Sequence, residues 1–528
     1  MPISRVKAKI STSLLFKQWH RRLVSVILVA ALAWSMTPLA PALARTQTTE
    51  SSSSIQPYVD RVIDRVTEFT LENGLKFIVL ERHQAPVVSF MTYVNVGAAE
   101  EEEGKTGAAH YLEHLAFKGT TQIGTKNYEA EKPLLERMDA LFKQIQEAEA
   151  NGQEAEASLL QAEFVQIKAE ASQYVVQNQL PQIVEQAGGV GLNATTSADA
   201  TRYFYSFPSN KLELWMSLES ERFLEPVFRE FYEEKAVILE ERRMRTDNSP
   251  VGKIVEEFLE TSFTVHPYGR PIIGYAEDIE ALTRDDIRNF FETHYVPSQM
   301  TIAIVGDVDP SQVKQFAEAY FGRFADRPAP PPLSFEEPPQ TETREVTLRL
   351  PSQPWYLEGY HRPAITHPDH ATYQLMGAIL SDGRTSRLYK SLIDEKQVAL
   401  NAQSSNGFPG DRFENILLFY ALTAPGHTVD EVAEALDVEL ERLQNEPVSI
   451  DELDRVKTQA RAALLRTLSS NQGMASLLAE YEAKTGSWEN LFNELNAIEA
   501  VTVEDIQRVA QETFRPENKT IGRILSVE

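Results

Sequence analysis

Regular alternation of apolar and polar residues marks the stretch VTEFTLENGLKFIVLERH at residues 66–83, and an Asn-Gly pair divides it in two. A period of two is typical of strands with one buried face, and Asn-Gly favours a tight turn, so the pattern predicts a β-hairpin. VVSFMTYVNVGAA, which starts at Val87, predicts a third strand. An acidic loop then leads into a predicted helix that contains HYLEHLAFKGT, residues 110–120.

Two stretches depart from this pattern further along the chain. From Glu131 to about residue 182 the chain is rich in Ala, Glu, Gln, Leu and Lys and is broken at Asn151-Gly152. We therefore predict two antiparallel helices, inserted in the first domain as a helical hairpin. Residues 326–345, DRPAPPPLSFEEPPQTETRE, contain too much proline for regular structure, so we place the boundary between domains in this linker.

An internal repeat gives the strongest indication of architecture. LTRDDIRNFFETHYVPSQMTIAIV, from Leu282, matches VTVEDIQRVAQETFRPENKTIGRI, from Val501, and five identical pairs keep one spacing of 219 positions. One match can arise from a common pattern of capped helix, turn and strand, but five pairs in one register favour two related domains. We predict an α+β fold with homologous domains at residues 61–325 and 346–528, each an antiparallel-rich sheet packed with helices.

The amino terminus predicts export. Residues 1–44 combine six basic residues and no acidic one with the apolar run LVSVILVAALAWSM and the segment PALA before Arg45. This order is typical of a secretory signal peptide cleaved after Ala44, and the apolar run is short for a membrane span. The alternative is an uncleaved amino-terminal anchor. We expect an exported protein, periplasmic or secreted, without a stable membrane span, and a flexible lead-in over residues 45–60.

Charge and cysteine content narrow the classes of function. Because the signal segment carries six positive charges, its removal changes the formal net charge from −26 to −32. Such a charge makes nucleic acid an unfavourable partner, and an anionic membrane surface likewise. Cysteine is absent, which excludes disulfides, thiolate nucleophiles and cysteine-bound zinc. Any metal must therefore be bound by His, Asp or Glu.

HYLEH is the most specific candidate for chemistry. On a helix, His110 and His114 are four positions apart and project from one face, close enough to bind one ion, while Glu113 lies beside that face. This H-x-x-E-H order is the inverzincin arrangement, and a hydrolytic zinc needs a third protein ligand and an open position for water. The alternative is an ordinary helix, since chance produces this pentapeptide in unrelated chains.

EEKAVILEERRMR, residues 233–245, predicts a second helix that offers the third ligand. Glu234 and Glu241 are two turns apart and share a face. Glu233 and Glu240 form a second such pair, rotated by about 100°. Spacing alone does not choose between the pairs. The alternative is a solvated acidic face, whose glutamates pair with the arginines at the end of this stretch.

Five stretches, in order, resemble the pitrilysin family of zinc peptidases, which includes insulin-degrading enzyme and the mitochondrial processing peptidase. They are HYLEHLAFKGT, GLNATTSADATRYFYSFP, EKAVILEERRMR, HPYGRPIIG and LTRDDIRNFFETHYVPSQMTIAIVGDVD. The chain is most similar to the short bacterial members with two repeats per chain. The likeness extends from residue 65 to the end.

The resemblance implies a zinc site with one ion per chain. The implied ligands are His110, His114 and Glu241, and Glu113 is implied as the general base. Glu234 is implied to orient one of the ligand histidines. These roles come from the family's motifs, since spacing left both glutamate pairs open.

The resemblance also implies a substrate strand beside the metal. Asn193 and Ala194, in GLNATTSADATRYFYSF, match the family's strand to which an extended substrate adds. Backbone pairing between strands depends more on the conformation of a peptide than on its sequence, which suits broad specificity. The alternative for Asn193 is a turn after Gly188-Gly189.

The length between the two metal-binding motifs departs from the family pattern. His114 and Glu241 are 127 positions apart, which is more than in the family's better-known members. The excess coincides with the predicted helical hairpin. We expect this insertion to cover the chamber or to bind a partner.

The later repeat departs from the pattern as well. It has no H-x-x-E-H, so no second metal site is expected there. Ile393 and Leu400 stand where the family has an arginine and a tyrosine that stabilise the oxyanion. We therefore expect a partner subunit, in a homodimer or in a heterodimer with a metal-free paralogue, to supply those groups. The alternative is that Arg384, Arg387 or Tyr389 serves instead.

Taken as a whole, the resemblance implies an exported zinc metalloendopeptidase that hydrolyses peptides or unfolded segments in an enclosed chamber. A second hypothesis is a non-catalytic or chaperone-like peptide-binding subunit. A third is a dedicated presequence-processing protease, for which the acidic charge is weak support, because basic presequences would be attracted.

Overall fold

The computed structural model describes residues 56–527, and its strands form two mixed sheets. The strands of the first sheet are β1 (Val66–Thr70), β2 (Lys76–Glu81), β3 (Val87–Val94), β4 (Val190–Thr196), β5 (Thr201–Pro208) and β6 (Met300–Gly306). The strands of the second sheet are β7 (Arg344–Leu350), β8 (Trp355–Arg362), β9 (Ala399–Phe408), β10 (Asn415–Thr423) and β11 (Lys519–Ser526). In space, the strand orders are β1-β2-β6-β3-β5-β4 and β7-β11-β8-β10-β9.

Helices fill the connections between these strands. The first half contains α1 (Gln56–Ile63), α2 (Ala108–Leu115), α3 (Tyr128–Ala150), α4 (Glu154–Ser172), α5 (Gln179–Gln186), α6 (Leu212–Leu224), α7 (Phe231–Arg242), α8 (Pro250–Ser262), α9 (Ala276–Ala281), α10 (Arg284–His294) and α11 (Pro310–Tyr320). The second half contains α12 (His370–Ser381), α13 (Val429–Asn445), α14 (Ile450–Ser469), α15 (Asn471–Thr485), α16 (Asn490–Ala500) and α17 (Val503–Thr513). Between residues 56 and 527, no helix combines the length and the apolar character needed to cross a bilayer.

The two sheets share one topology. In each, a parallel pair, β2 with β6 and β7 with β11, is extended by antiparallel strands, β3-β5-β4 and β8-β10-β9. The repeated segment forms α10 and β6 in the first half and α17 and β11 in the second. Thr283 and Thr502 cap the two helices and form the same reciprocal pair with Asp286 and Asp505. The predicted α+β class with two homologous domains is confirmed.

The insertion in the first half is a helical hairpin. Helices α3 and α4 are antiparallel neighbours, and the turn between them lies at Asn151 and Gly152. Gly152 has φ 68°, a left-handed conformation that favours glycine. The hairpin begins at Tyr128, slightly before the predicted range.

The structure describes the predicted flanking and linking segments only in part. Residues 56–60 of the predicted flexible lead-in belong to α1, and the rest of that lead-in lies outside the described residues. The predicted signal peptide, residues 1–44, lies outside the described residues. The proline-rich linker has neither helix nor strand between α11 and β7. It is nevertheless fixed in place, since Glu337 accepts hydrogen bonds from the backbone N–H groups of residues 264–266 at 2.7 to 2.9 Å.

The two halves exchange helices across their interface. Helix α8 of the first half packs on β7 and β11, and α15 of the second half packs on β3 and β6. Phe258 on α8 approaches Gly359 and Gly522 so closely that a Cβ on these glycines would lie 2.7 and 3.2 Å from its ring. Buried apolar residues from both halves therefore form one cluster between α8 and the second sheet.

A buried ionic cluster joins the halves beside β4. Asp199, in the turn between β4 and β5, accepts hydrogen bonds from the backbone N–H of Asp411 at 2.9 Å and of Arg412 at 3.2 Å. Lys484 on α15 lies 3.5 Å from Asp199 and 2.5 Å from Asp411. Arg412 also pairs with Glu100, in the loop that precedes α2. Removal of one member would leave an uncompensated buried charge.

Candidate metal centre

The helix that carries both histidines is held firmly at its start. Gly107, the residue before α2, has φ 88°, and a Cβ there would lie 2.7 Å from the carbonyl oxygen of Ile273. The Glu101 carboxylate accepts hydrogen bonds from the backbone N–H of Gly107 at 2.9 Å and of Ala109 at 2.8 Å. Burial raises the pKa of Glu101 to about 8, although these two bonds favour the charged form. The position of α2 is therefore set before its first ligand residue.

His110 and His114 lie side by side on α2. Their ring centroids are 4.8 Å apart. His110 is buried, and its Nδ1 has no hydrogen-bond partner among the described residues. Burial, with the neighbouring charge of His114, lowers the pKa of His110 to about 4, so this imidazole is neutral at pH 7. A neutral imidazole has a free lone pair for a metal ion.

Helix α7 brings two glutamates to this pair. Glu241 Oε2 lies 3.5 Å from His114 Nε2 and 3.9 Å from His110 Nε2. Glu234 Oε2 lies 3.1 Å from Nδ1 of His114, on the other side of the ring. Burial alone would raise the pKa of Glu241, but the hydrogen bond to His114 and the charges of His110 and Arg245 lower it to about 2. Burial would likewise lower the pKa of His114, but Glu234 and Glu241 outweigh it and raise that pKa to about 9.

The other glutamate pair is directed elsewhere. Glu233 lies 3.3 Å from Lys168 of the hairpin, and Glu240 pairs with Arg243. Glu240 is exposed, as expected for the solvated face that the sequence offered as an alternative, whereas Glu233 is half-buried against the hairpin. Within residues 56–527, the one group of three or more acidic or histidine side chains whose ligand atoms converge is His110, His114 and Glu241, with all three atoms within 4.8 Å of one another.

Glu113 lies beside this group and is held by a strand. Its Oε2 accepts a hydrogen bond of 2.7 Å from the hydroxyl of Thr196, at the end of β4. Burial raises the pKa of Glu113, and the bond from Thr196 only partly opposes this. A half-buried carboxylate with a raised pKa, next to a metal-binding group, is suited to accept a proton.

Asn193 and Ala194 lie on β4, the terminal strand of the first sheet. β4 pairs with β5 on one side, where Asn193 is opposite Phe204 and Ala194 is opposite Tyr203. Asn193 is thus a strand residue, and the turn proposed as its alternative role lies earlier, at residues 187–188. Within the described residues no strand pairs with the outer edge of β4, so its backbone is open to an extended peptide.

The second half offers no equivalent chemistry at the two family positions. Ile393 packs against the core of that half, and Leu400 is 53% exposed. Arg387 is engaged with Glu452, at 2.9 Å. Arg384 lies on an exposed turn. None of the described residues of the second half joins a converging group of metal ligands.

Sequence reasoning missed two contacts at the centre and offered a third only as part of a solvated face. That third contact joins Arg245 Nη2 to Glu241 Oε1 at 2.9 Å, four positions apart on the helix. Lys118 Nζ lies 2.5 Å from Glu234 Oε1, a residue distant in sequence, so no local pattern indicates this pair. The other missed contact, from Thr196 to Glu113, joins a strand to a helix and likewise leaves no local signal.

Two of the three separations between the converging atoms come close to those around one tetrahedral ion. Ligand atoms 2.0 to 2.2 Å from a tetrahedral zinc lie about 3.3 to 3.6 Å apart. The observed separations of 3.5 and 3.9 Å from Glu241 to the two imidazoles come within about half an ångström of that range. Two imidazoles and one carboxylate make a three-ligand set, which leaves a fourth position for water or substrate.

Comparison with known proteins identifies the family. The family model described as "Insulinase (Peptidase family M16)" matches residues 76–135 and 167–275, and the model described as "Peptidase M16 inactive domain" matches residues 281–460. The chain belongs to the M16 peptidase family, which confirms the resemblance found in the sequence.

Relatives and solved structures extend this likeness over most of the chain. The zinc protease PqqE of Helicobacter pylori is 29% identical over 458 residues, which is 85% of this chain and 90% of that protein. A crystal structure of a protease from Helicobacter pylori has a TM-score of 0.73 at 27% identity and covers 87% of this chain and 99% of its own. The periplasmic protease PqqL of Escherichia coli has a TM-score of 0.65 at 17% identity and covers 88% of this chain but 48% of its own.

Proposed function

We propose that this chain is a zinc-dependent endopeptidase in which His110, His114 and Glu241 hold one Zn²⁺ and Glu113 is the general base. The observation that carries the proposal is the convergence of three ligand atoms within 4.8 Å from two helices far apart in sequence. The nearby carboxylate of Glu113 is outside that ligand group. A cluster with a purely structural role would not require this additional half-buried carboxylate beside the ligands.

The side chains around the ligands have separate tasks. Glu234 bonds to Nδ1 of His114 and thereby turns Nε2 of that ring toward Glu241. Arg245 holds Oε1 of Glu241, which leaves Oε2 toward the histidines. Zn²⁺ in this position would acidify a water and polarise a peptide carbonyl.

Glu113 would move the proton. Because burial raises its pKa, its carboxylate has a stronger tendency to take a proton than an exposed glutamate. The hydroxyl of Thr196 holds Oε2 in one place. Glu113 would receive the proton of the attacking water on its carboxylate and donate it to the leaving amine.

Peptides or unfolded segments are the substrates that the surroundings of the site favour. The open edge of β4 offers backbone groups to an extended chain, and Thr196 at the end of that strand touches the proposed base. We propose Asn193 and Ala194 as the residues of this strand that bind substrate. A strand added in this way is recognised by its backbone, so a broad range of sequences is expected.

We further propose that a partner subunit completes an enclosed chamber. Two observations support a second subunit: the apolar residues at 393 and 400, and the fold of PqqL, of which this chain spans about half. The partner is a second copy or a metal-free paralogue. Because residues 1–44 have the sequence pattern typical of a signal peptide, we propose that the protein is exported to the periplasm or secreted.

The test of the activity is a pair of measurements on the purified chain: zinc content after dialysis, and hydrolysis of a fluorogenic peptide mixture. We expect one zinc per chain and cleavage that a chelator abolishes. Glu113→Gln is expected to keep the zinc and lose hydrolysis, while Glu103→Gln, an exposed glutamate ahead of α2, is the matched control and keeps both. If the Glu113→Gln variant hydrolyses at the rate of the control, the proposed base is wrong.

The partner is tested separately. The rate of the chain alone is compared with the rate in the presence of each metal-free paralogue encoded beside it, and with the rate at high protein concentration. A rise in rate on mixing or on concentration supports a shared site. A constant rate per chain under all these conditions contradicts it.

A further inference from the structure

The helical hairpin packs on the back of the helix that carries Glu241. Tyr232, on α7, is nine residues before Glu241 and stands about 180° around the helix from it. Its ring contacts Phe142 of α3, with centroids 5.1 Å apart, and Phe164 of α4, edge-on at 4.9 Å. Its hydroxyl donates a hydrogen bond of 2.9 Å to Asp139. Both hairpin helices therefore press on the side of α7 opposite the metal ligand.

Lys235 adds a second contact on that side. Its ammonium lies 4.2 Å from the ring centroid of Phe142 and donates hydrogen bonds of 2.7 Å to the carbonyl oxygens of Glu280 and Leu282. The lysine thus fastens α7 to the hairpin and to the end of α9. Burial lowers the pKa of Lys235 to about 7, so the two hydrogen bonds hold this contact more than the charge over the ring does.

The start of α7 is tied to the hairpin and to the loop that leaves α2. Arg229, two residues before α7, and Glu131, in the first turn of α3, are both fully buried and pair through two bonds of 2.6 and 3.0 Å. Arg229 also donates to the carbonyl oxygens of Lys118, Thr120 and Ile123 at 2.9 to 3.2 Å. One side chain therefore joins the hairpin, the histidine helix and the glutamate helix.

This hairpin is an addition to the family pattern. The family model of the first half matches up to residue 135 and again from residue 167, and so leaves out most of α3 and part of α4. An added segment that only covered an opening would have no reason to place its buried side chains against α7. The contacts join this added segment to the side of α7 that faces away from Glu241.

We propose that the hairpin braces the metal centre by fixing α7 against α2, so that the zinc affinity of the site depends on hairpin side chains that touch no ligand residue. The inference rests on the proposed function, since it concerns the binding of the same Zn²⁺. It replaces the expectation that the insertion serves only as a cover or as a partner surface. Phe142, Phe164 and Glu131 are positioning residues in this sense.

The test compares two buried aromatic side chains. Phe164→Ala opens a cavity behind Tyr232, and Phe514→Ala opens one in the second half, where its ring lies 5.0 Å from that of Tyr360. The two phenylalanines are 7% and 6% exposed, so the variants are matched in burial. Zinc affinity is measured by competition with a chromophoric chelator, at a temperature where circular dichroism shows both variants folded.

The expected result is a loss of zinc affinity of about tenfold in Phe164→Ala and none in Phe514→Ala, although both unfold at lower temperature. Phe164→Leu, which keeps most of the volume, is expected to restore affinity to within about threefold and also serves if the alanine variant does not fold. If all folded variants bind zinc equally well, or if Phe164→Ala and Phe514→Ala lose the same affinity, the proposed role of the hairpin in zinc binding is wrong. If the wild-type chain itself binds no zinc, the proposed function is wrong. If the wild type binds zinc but the variants do not differ, only the proposed role of the hairpin is wrong.

Discussion

Replacing Glu234 by glutamine tests how the metal centre depends on a residue that is not itself a proposed ligand. Glu234 Oε2 lies 3.1 Å from Nδ1 of His114, and its Oε1 lies 2.5 Å from Lys118. Glutamine has the same shape and can still accept a hydrogen bond from Nδ1–H, but it lacks the negative charge. The substitution therefore removes the negative charge next to the His114 ring but keeps an oxygen that accepts the hydrogen bond from Nδ1–H.

The size of the effect follows from these contacts. Loss of a carboxylate that supports a ligand histidine weakens metal binding by about 10- to 100-fold, or about 1.4 to 2.7 kcal/mol. Glu234→Gln keeps the hydrogen bond and should fall near the lower limit, about tenfold. Glu234→Ala loses the bond as well and should fall near the upper limit. Lys118 retains Glu230 at 3.5 Å, so the fold should persist in both variants.

The assay is a zinc competition titration against a chromophoric chelator at pH 7. Glu240→Gln is the matched control, because it is an exposed residue of the same helix whose carboxylate pairs with Arg243 instead of a histidine or the hairpin. Zinc affinity in this control should equal that of the wild type. If Glu234→Gln binds zinc as tightly as Glu240→Gln, then Glu234 does not support the ligand and the assignment of the centre is wrong in this respect.

Two further predictions concern β4 and the turn after it. Thr196→Val removes the hydroxyl that holds Glu113 at 2.7 Å, and we expect kcat to fall about tenfold with unchanged zinc content, since a hydrogen bond to a charged group contributes about 1.5 to 3 kcal/mol. An unchanged kcat would contradict the role of this bond. Asp199→Asn leaves Lys484 with less compensating charge between the halves, and we expect the free energy of unfolding in urea to drop by about 3 kcal/mol. A drop below about 1 kcal/mol would show that the remaining carboxylates suffice.

Much of the fold could be predicted because its signals are local or repeated. The Asn-Gly turn and the alternating pattern locate β1 and β2, which pair from Val66 opposite Leu80 to Thr70 opposite Lys76. The repeat spacing of 219 positions aligns α10 with α17 residue for residue. The exchange of α8 and α15 between the halves had no such signal, because packing of a helix on a distant sheet depends on tertiary structure.

Some features of the candidate site could likewise be predicted from local sequence patterns, and others depend on tertiary contacts. Helical periodicity alone placed His110 and His114 on one face, since both belong to one short helix. Periodicity did not decide which of the two glutamate pairs on α7 lies near the histidines, because spacing within a helix does not determine which face contacts another helix. Contacts such as that between Arg229 and Glu131 decide that orientation, and these two residues are 98 positions apart in the sequence. The family resemblance selected Glu241, and the structure brings that residue to the histidines.

The second half acts on the site without contributing a ligand. Its Arg412 pairs with Glu100, which lies ahead of the histidine helix, and donates its backbone N–H to Asp199, which lies just after β4. Lys484 adds its charge at Asp199. Both first-half segments that flank Glu113 are therefore held from the other domain. Such a role needs a folded sheet and a few buried charges but no H-x-x-E-H motif, so the repeat can lose metal chemistry and still be required for the geometry of the first half.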